Sequence, residues 1–169
     1  MTTGDDEDRR RFRDPLTRLG GFADKILVRC PACDGRAAVI PDPNVAGDGW
    51  RSRCHRRLSC LHCGYTDTWT APREGNYRMV PEPCGSDDPY FGLPLWLRAD
   101  CCGAHVLWAY NGEHLDLLEA YLAARLRERG DYPGSMSMVE RLPAWLKSAK
   151  HRDEALRTIR RLRSSLHAP

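Results

Sequence analysis

Two C-x-x-C pairs, Cys30-Pro31-Ala32-Cys33 and Cys60-Leu61-His62-Cys63, have the residue types and spacing to do chemistry. A tight C-x-x-C turn aims two thiolates at one point while its backbone amides steady the sulfurs. Two such turns supply the four soft ligands that tetrahedral zinc prefers. The 26 residues between the pairs suit a strand, a loop and a return strand. Pro31 stiffens the first turn, and Gly64 permits the backbone twist after the second. Two other uses of paired cysteines fit less well. A thioredoxin-type site has a single C-x-x-C opening a helix in a βαβ setting, whereas both pairs here lie between strand-forming runs. A disulfide framework belongs to secreted chains, and MTTGDDEDRRRFRDP carries neither an apolar h-region nor a cleavage pattern. The expectation is one structural zinc ion on Cys30, Cys33, Cys60 and Cys63. Four protein ligands leave no position for an activated water, so such an ion serves structure rather than hydrolysis.

The elements that must position these cysteines are strand-like. KILVRCPACDGRAAVIP sets β-formers on both sides of the first pair, and DPNVAGDGW is a Gly, Pro, Asp and Asn cluster, hence a loop. WRSRCHRRLSC resumes the strand pattern up to the second pair, and YTDTWT alternates after it. Residues 1–24 mix DDED with RRRFR without apolar periodicity and are expected as a disordered or extended arm. Residues 73–92 are Pro- and Gly-rich and are expected as a connector. LPLWLRADCCGAHVLWAYN holds two strand-like runs around Cys101-Cys102-Gly103, the pattern of a hairpin. Asn111 can cap a helix in which Leu115, Leu118, Tyr121, Leu122 and Leu126 recur at helical spacing and which Gly130 stops. Ser137 and Glu140 form a capping box for a second helix, which Pro143 restarts or kinks. In a last helix Leu156, Ile159, Leu162 and Leu166 make one stripe. The fold class is α+β: a zinc ribbon of three antiparallel strands over 25–72, then, over 93–167, a β-hairpin and about three helices.

VRCPACDGRAAVI together with RRLSCLHCGYTDTW resembles the zinc ribbon of transcription factor TFIIB and of many bacterial proteins. The resemblance covers about residues 25–70 and implies a small three-stranded sheet pinned by two knuckles, with Cys30, Cys33, Cys60 and Cys63 as the ligands. The remainder, with FGLPLWL, CCG, LWAYN and RLPAWLKSAKHRDE, is similar to small bacterial zinc-ribbon proteins. Some of these are likened to the replication-restart helicase through cysteine spacing. That label does not carry over, because this chain has no G-x-x-x-x-G-K-[ST] loop for nucleotide phosphates.

Cys54, His55 and His62 lie close to the second pair, but the four-cysteine set is complete without them, and His62 reads as a surface residue. Cys84, Cys101 and Cys102, with His105 and His114 nearby, are candidates for a second metal site. Against this, adjacent cysteines in a strand point to opposite faces unless they occupy a turn, and free cysteine packs well as a small hydrophobe. Cys102 as nucleophile with His105 or His114 as base would make a cysteine-dependent enzyme, the less favoured class, since sequence shows neither a lowered thiol pKa nor an oriented base. Glu113-His114 is not H-E-x-x-H, so His114 is expected at the surface or as a cap. The chain is read as non-enzymatic.

The net charge of +3 is uneven: residues 25–75 carry +3 and residues 141–169 carry +6. Arg51, Arg53, Arg56 and Arg57 approach the second pair, and Arg157, Arg160 and Arg161 lie on the last helix. These arginines could pair with the phosphates of DNA or RNA, and Trp50 or Trp69 could stack on bases. Basic residues also offset the −2 formal charge of a four-thiolate zinc and suit a helix C-terminus. A protein-interaction adaptor is therefore the competing class. No apolar run reaches the ~18 residues of a membrane span, and a cytoplasmic protein is expected.

Overall fold

The computed structural model describes residues 11–45, 49–128 and 136–167. Residues 1–10 of the expected arm, part of the DPNVAGDGW loop and Gly130 lie outside these. The chain is α+β and divides into two compact units. One, the ribbon unit, comprises Phe22–Arg98 with Trp108–Asn111; the other, the helical unit, comprises Met1–Gly21, Ala99–Leu107 and Gly112–Pro169.

The ribbon unit is built on an antiparallel meander of β2 (Ile26–Arg29), β3 (Arg36–Pro41), β4 (His55–Cys60) and β5 (Thr66–Thr70), in that order. It has one strand more than the expected three, because TDTWT pairs along β4, from His55 opposite Thr70 to Ser59 opposite Thr66. Alternation sorts the faces: Ala37 and Val39 on β3, and Arg56, Leu58 and Cys60 on β4, point inward. Strand β2 is apolar and buried from Ile26 to Val28, and its free edge is covered. Leu27 N–H donates to Tyr110 O at 2.8 Å, Arg29 N–H to Pro94 O at 2.9 Å, and Trp96 N–H to Leu27 O at 2.9 Å. Ile26, Val28, Leu58, Leu95, Leu97 and Tyr110 are the buried centre of this unit. The approach to β4 is not all strand: Trp50–Cys54 turn as a short helix, α1. Within the Pro- and Gly-rich stretch, β6 (Arg73–Glu74) and β7 (Tyr77–Arg78) pair as a hairpin. Gly75 takes φ +60° in its two-residue turn, a geometry that glycine adopts without strain.

Strands β8 (Leu97–Cys101) and β9 (His105–Ala109) form the expected hairpin, which is divided between the two units. In the helical unit, α2 (Gly112–Ala123) buries Leu115, Leu118 and Leu122, and α4 (Arg152–Ser165) buries Ala155, Thr158, Ile159 and Leu162. The buried stripe of α4 is therefore turned slightly from the expected one, leaving Leu156 and Leu166 half-buried. Leu126 does not extend α2. It begins β10 (Leu126–Glu128), which pairs in parallel with β1 (Arg11–Arg13). Phe12 meets the Tyr121 ring edge-on, with centroids 5.4 Å apart. The capping box forms: Ser137 N–H donates to Glu140 Oε2 at 3.0 Å and Glu140 N–H to Ser137 Oγ at 3.3 Å. It closes a turn rather than a helix. Pro143 follows, and only Ala144–Lys147, α3, are helical before the 3-10 turn Ala149–His151. Among the described residues no helix is long and apolar enough to cross a membrane.

Candidate metal centre

The two C-x-x-C pairs fold as matching knuckles at neighbouring strand ends. Cys30 follows β2, and its N–H donates to Gly35 O at 2.8 Å while Asp34 N–H donates to Cys30 O at 2.9 Å. Cys60 ends β4, and its N–H donates to Tyr65 O at 2.9 Å while Gly64 N–H donates to Cys60 O at 3.0 Å. The offsets are the same in both. The fourth residue after the leading cysteine is left-handed in each case, Gly64 at φ +77° and Asp34 at φ +57°. Asp34 tolerates this conformation better than most residues, and its carboxylate meets Arg29 at 3.0 Å. The β3–β4 register, Ala37 opposite Cys60, brings the knuckles together.

The four sulfurs then converge. Cys30 Sγ lies 3.6 Å from Cys63 Sγ and Cys33 Sγ lies 3.7 Å from Cys60 Sγ. All four lie within 4.8 Å of one another. A tetrahedral ion with metal–sulfur bonds of ~2.3 Å has sulfur–sulfur edges of ~3.8 Å, so the spacing is that of ligands around one ion. A disulfide needs ~2.05 Å and is far off. In each knuckle the leading cysteine is buried and the second is exposed. Backbone amides of Cys63 and then His62 point at the Cys60 sulfur and, against its burial, lower its pKa to about 6. At Cys33 the Gly35 amide pulls downward, but burial and the thiols of Cys63, Cys60 and Cys30 win and push it to about 12. Four thiols this close cannot all ionise without a cation among them. Gly35 leaves the room this requires: a Cβ there would stand 3.2 Å from Cys33 Sγ. These four residues can hold one metal ion, in a zinc-ribbon-like site.

Of the nearby candidates, Cys54 is buried in α1, His55 Nδ1 pairs with Thr70 Oγ1 at 3.2 Å, and His62 is exposed. None joins the cluster. Cys84 is exposed and joins no cluster. Cys101 and Cys102 are brought together at the turn between β8 and β9, where Glu154 approaches them.

The arginines divide. Arg56 is only 1% exposed and cannot meet a partner. Its Nη2 donates to Tyr90 Oη at 2.9 Å, and its guanidinium carbon sits 4.5 Å from the Tyr90 ring centre. The cause is the β4 alternation, which sets Arg56 on the face of Leu58 and Cys60 and Arg57 on the other. Arg51 is exposed on α1, and Arg53 and Arg57 are half-buried. Arg157, Arg160 and Arg161 are exposed on α4. Arg73 and Arg78, which sequence alone did not single out, join Arg51 around a cavity of about 300 Å³ that is also lined by Val45, Trp50, Cys54 and His55. They come from the β6–β7 hairpin, whose signal was Gly75-Asn76 between short polar runs. His114, expected at the surface, is 2% exposed in α2, and burial lowers its pKa to about 4. Comparison with protein-family models, with curated proteins and with solved structures finds no match for this chain.

Proposed function

We propose that this chain is a non-enzymatic zinc-ribbon protein of the TFIIB type that binds single-stranded DNA or RNA in the cytoplasm. Zinc is the ion favoured because it suits a closed set of four thiolates on two knuckles. It would tie the β2–β3 turn to the β4–β5 turn and supply folding energy to a small sheet. One observation carries the nucleic-acid reading. Arg51, Arg73 and Arg78 converge with Trp50 on one cavity, and no carboxylate is among its lining residues. Arg51 and Arg73 have no ion-pair partner among the described residues, while Arg78 Nη1 is partly engaged by Ala71 O at 3.0 Å. Trp50 is 55% exposed beside them, an unusual place for an indole unless a flat partner covers it. Guanidinium groups for phosphate and an indole for a base are the two parts of a single-strand site. Arg53, Arg57 and the α4 residues Arg157, Arg160 and Arg161 supply further positive charge.

The test is anisotropy of labelled single- and double-stranded DNA and RNA against the full, zinc-loaded chain across a salt series. Single strands should bind with an affinity that falls with salt. Arg51→Ala and Arg73→Ala should each reduce the salt slope by about one, and Trp50→Ala should weaken single-strand binding by about 1–3 kcal/mol. Absence of binding at low salt would reject the reading. A second reading, a protein-interaction adaptor, is favoured by Leu61, which is 97% exposed at the tip of the second knuckle. Leu61→Ser would leave nucleic-acid binding unchanged and abolish docking of a protein partner.

A further inference from the structure

Cys101 ends β8 and Cys102 begins the turn to β9. Neighbouring side chains on a strand point to opposite faces. Here Cys102 takes φ +56°, a left-handed conformation that disfavours any residue with a Cβ, and its side chain swings round to its neighbour. The two sulfurs stand 2.9 Å apart, and both residues are buried. This is well inside the ~3.8 Å that separates two thiolates on one tetrahedral ion, and inside the 3.6 and 3.7 Å of the four-cysteine cluster. The turn is held from outside: Cys102 N–H donates to Glu154 Oε1 and the Cys102 thiol points to His151 O at 3.8 Å. A strained residue, braced by the start of a helix so that two thiols touch, serves a bond between those sulfurs better than an ion shared by them.

We propose that Cys101 and Cys102 are a redox-active vicinal dithiol, a modification site that a hydroperoxide converts reversibly to a disulfide. The Cys101 sulfur attacks the peroxide and the O–O bond breaks; the far oxygen leaves as alcohol or water, and Cys101 becomes a sulfenic acid. The Cys102 sulfur then attacks the Cys101 sulfur and displaces its hydroxyl, which leaves as water with the Cys102 proton. Two thiols and one hydroperoxide give one disulfide, one alcohol (or water) and one water, and the two electrons pass from sulfur to oxygen. Burial first, then Cys101 and Glu154, push the Cys102 thiol up to about 12. Cys102 therefore remains protonated and is the resolving partner. With that partner already in contact, the sulfenic acid is consumed before a second peroxide reaches it, which keeps the site off the irreversible sulfinic branch. The product is reducible for a geometric reason. Adjacent Cα atoms are ~3.8 Å apart, whereas unstrained disulfides span at least ~4.4 Å. Strained disulfides of this kind have high potentials and are the labile ones. The proposal stands independently of what the ribbon unit binds.

The test is mass spectrometry of the full-length protein after mild hydrogen peroxide. Cys101 and Cys102 are the only cysteines of the tryptic peptide 99–125. That peptide should lose two hydrogens, regain them with dithiothreitol, and gain no oxygen. Cys102→Ser should turn this into a dimedone-reactive sulfenic acid at Cys101 that proceeds to sulfinic acid. Sulfinic acid or unaltered thiols in the wild-type peptide would overturn the proposal. So would a second bound metal ion per chain that is lost in Cys102→Ser, since it would assign the pair, with Glu154, to a metal.

Discussion

The four cysteines of the knuckles and the two cysteines of the β8–β9 turn are the same residue type in opposite settings. In the knuckles, sulfurs at 3.6 and 3.7 Å leave space for an ion between them. Backbone amides are aimed at the Cys60 sulfur and lower its pKa to about 6, so one thiolate is ready for a cation. At the turn, sulfurs at 2.9 Å leave no such space, and burial beside Cys101 and Glu154 pushes the Cys102 thiol up to about 12. The peptide around the sulfur makes the difference. A C-x-x-C knuckle puts three peptides between its thiols and exposes amides to them, whereas adjacent cysteines share one peptide whose N–H is spent on Glu154. Cysteine count alone therefore says little, and spacing with local backbone conformation says nearly everything.

The largest effect should come from removing one ligand. Cys60→Ser takes away one of the two buried cysteines of the cluster, and the chain should lose its metal and the cooperative melting of the ribbon sheet. Metal analysis and circular dichroism report the two. Cys102→Ser should leave metal content unchanged. If instead Cys60→Ser kept a full equivalent of metal with an unaltered melting temperature, the roles given to the two clusters would be wrong.

This contrast also marks what could be read in advance. Both knuckles, their left-handed exit at Gly64, the alternation of the meander, the hairpin and the capping box follow from local signals. The inward place of Arg56, expected at a nucleic-acid surface, has a local signal too. In HRRLSC it shares the period-two face of Leu58 and Cys60, and a burial rule blind to charge finds it. His114 is similar, since it stands four and seven residues before Leu118 and Tyr121 on the apolar stripe of α2. Leu126 had no such signal. Its helical spacing was good, and only pairing with Arg11, far away in sequence, makes it a strand. The meeting of Cys101 with Cys102 depends on one left-handed residue that is not glycine, which composition does not announce.

Acid should separate the two units next. His114 is neutral and buried, with a folded pKa of about 4 against ~6.5 when unfolded. Between these values the unfolded chain binds the extra proton, so stability falls as pH drops from ~6.5 toward 4, by up to about 1.4 kcal/mol per pH unit. The contribution is fully present above ~6.5. For Cys60 the folded pKa is depressed, so the thiolate form is favoured above about 6 and is lost as pH falls through it. Protons compete with a metal for this ligand, so affinity for the ion should fall as pH drops. Urea melts of the wild type and His114→Gln at pH 7 and 4.5 test the first, the variant losing less between the two. A chelator titration against pH tests the second. Equal acid sensitivity in His114→Gln would remove histidine burial as the cause.

A smaller effect tests the knuckle from its second layer. Gly35→Ala places a methyl group 3.2 Å from Cys33 Sγ, tighter than the sulfur tolerates without shifting by a few tenths of an ångström. Metal affinity should fall by about tenfold, the low end for changes just outside a ligand set, with the fold intact. A competition titration with a chromogenic chelator reads this directly. Unchanged affinity would show that Cys33, on the exposed side of the cluster, has room to move.

The smallest effect lies in the unit to which no metal is assigned. The α4 residue Arg163 reaches both Asp116 and Glu119 of α2, and its pKa is raised chiefly by the bond to Asp116. The Arg163 and Asp116 side chains are 35% and 60% exposed, so water and salt screen much of the attraction. Arg163→Ala should cost about 0.5–1 kcal/mol in low salt and less in high salt. The two helices α2 and α4 pack together, and they bury Leu115, Leu118 and Leu122 on one and Ala155, Ile159 and Leu162 on the other, so Leu118→Ala should cost several times more, about 2–5 kcal/mol. If the two substitutions were equally damaging, the helical unit would depend on its ion pairs as the ribbon unit depends on its sulfurs, and the contrast between a pinned sheet and a packed helix pair would fail. A cost for Arg163→Ala that shrinks as salt is added, beside one for Leu118→Ala that does not, would show that packing rather than charge does in one unit what ligation does in the other.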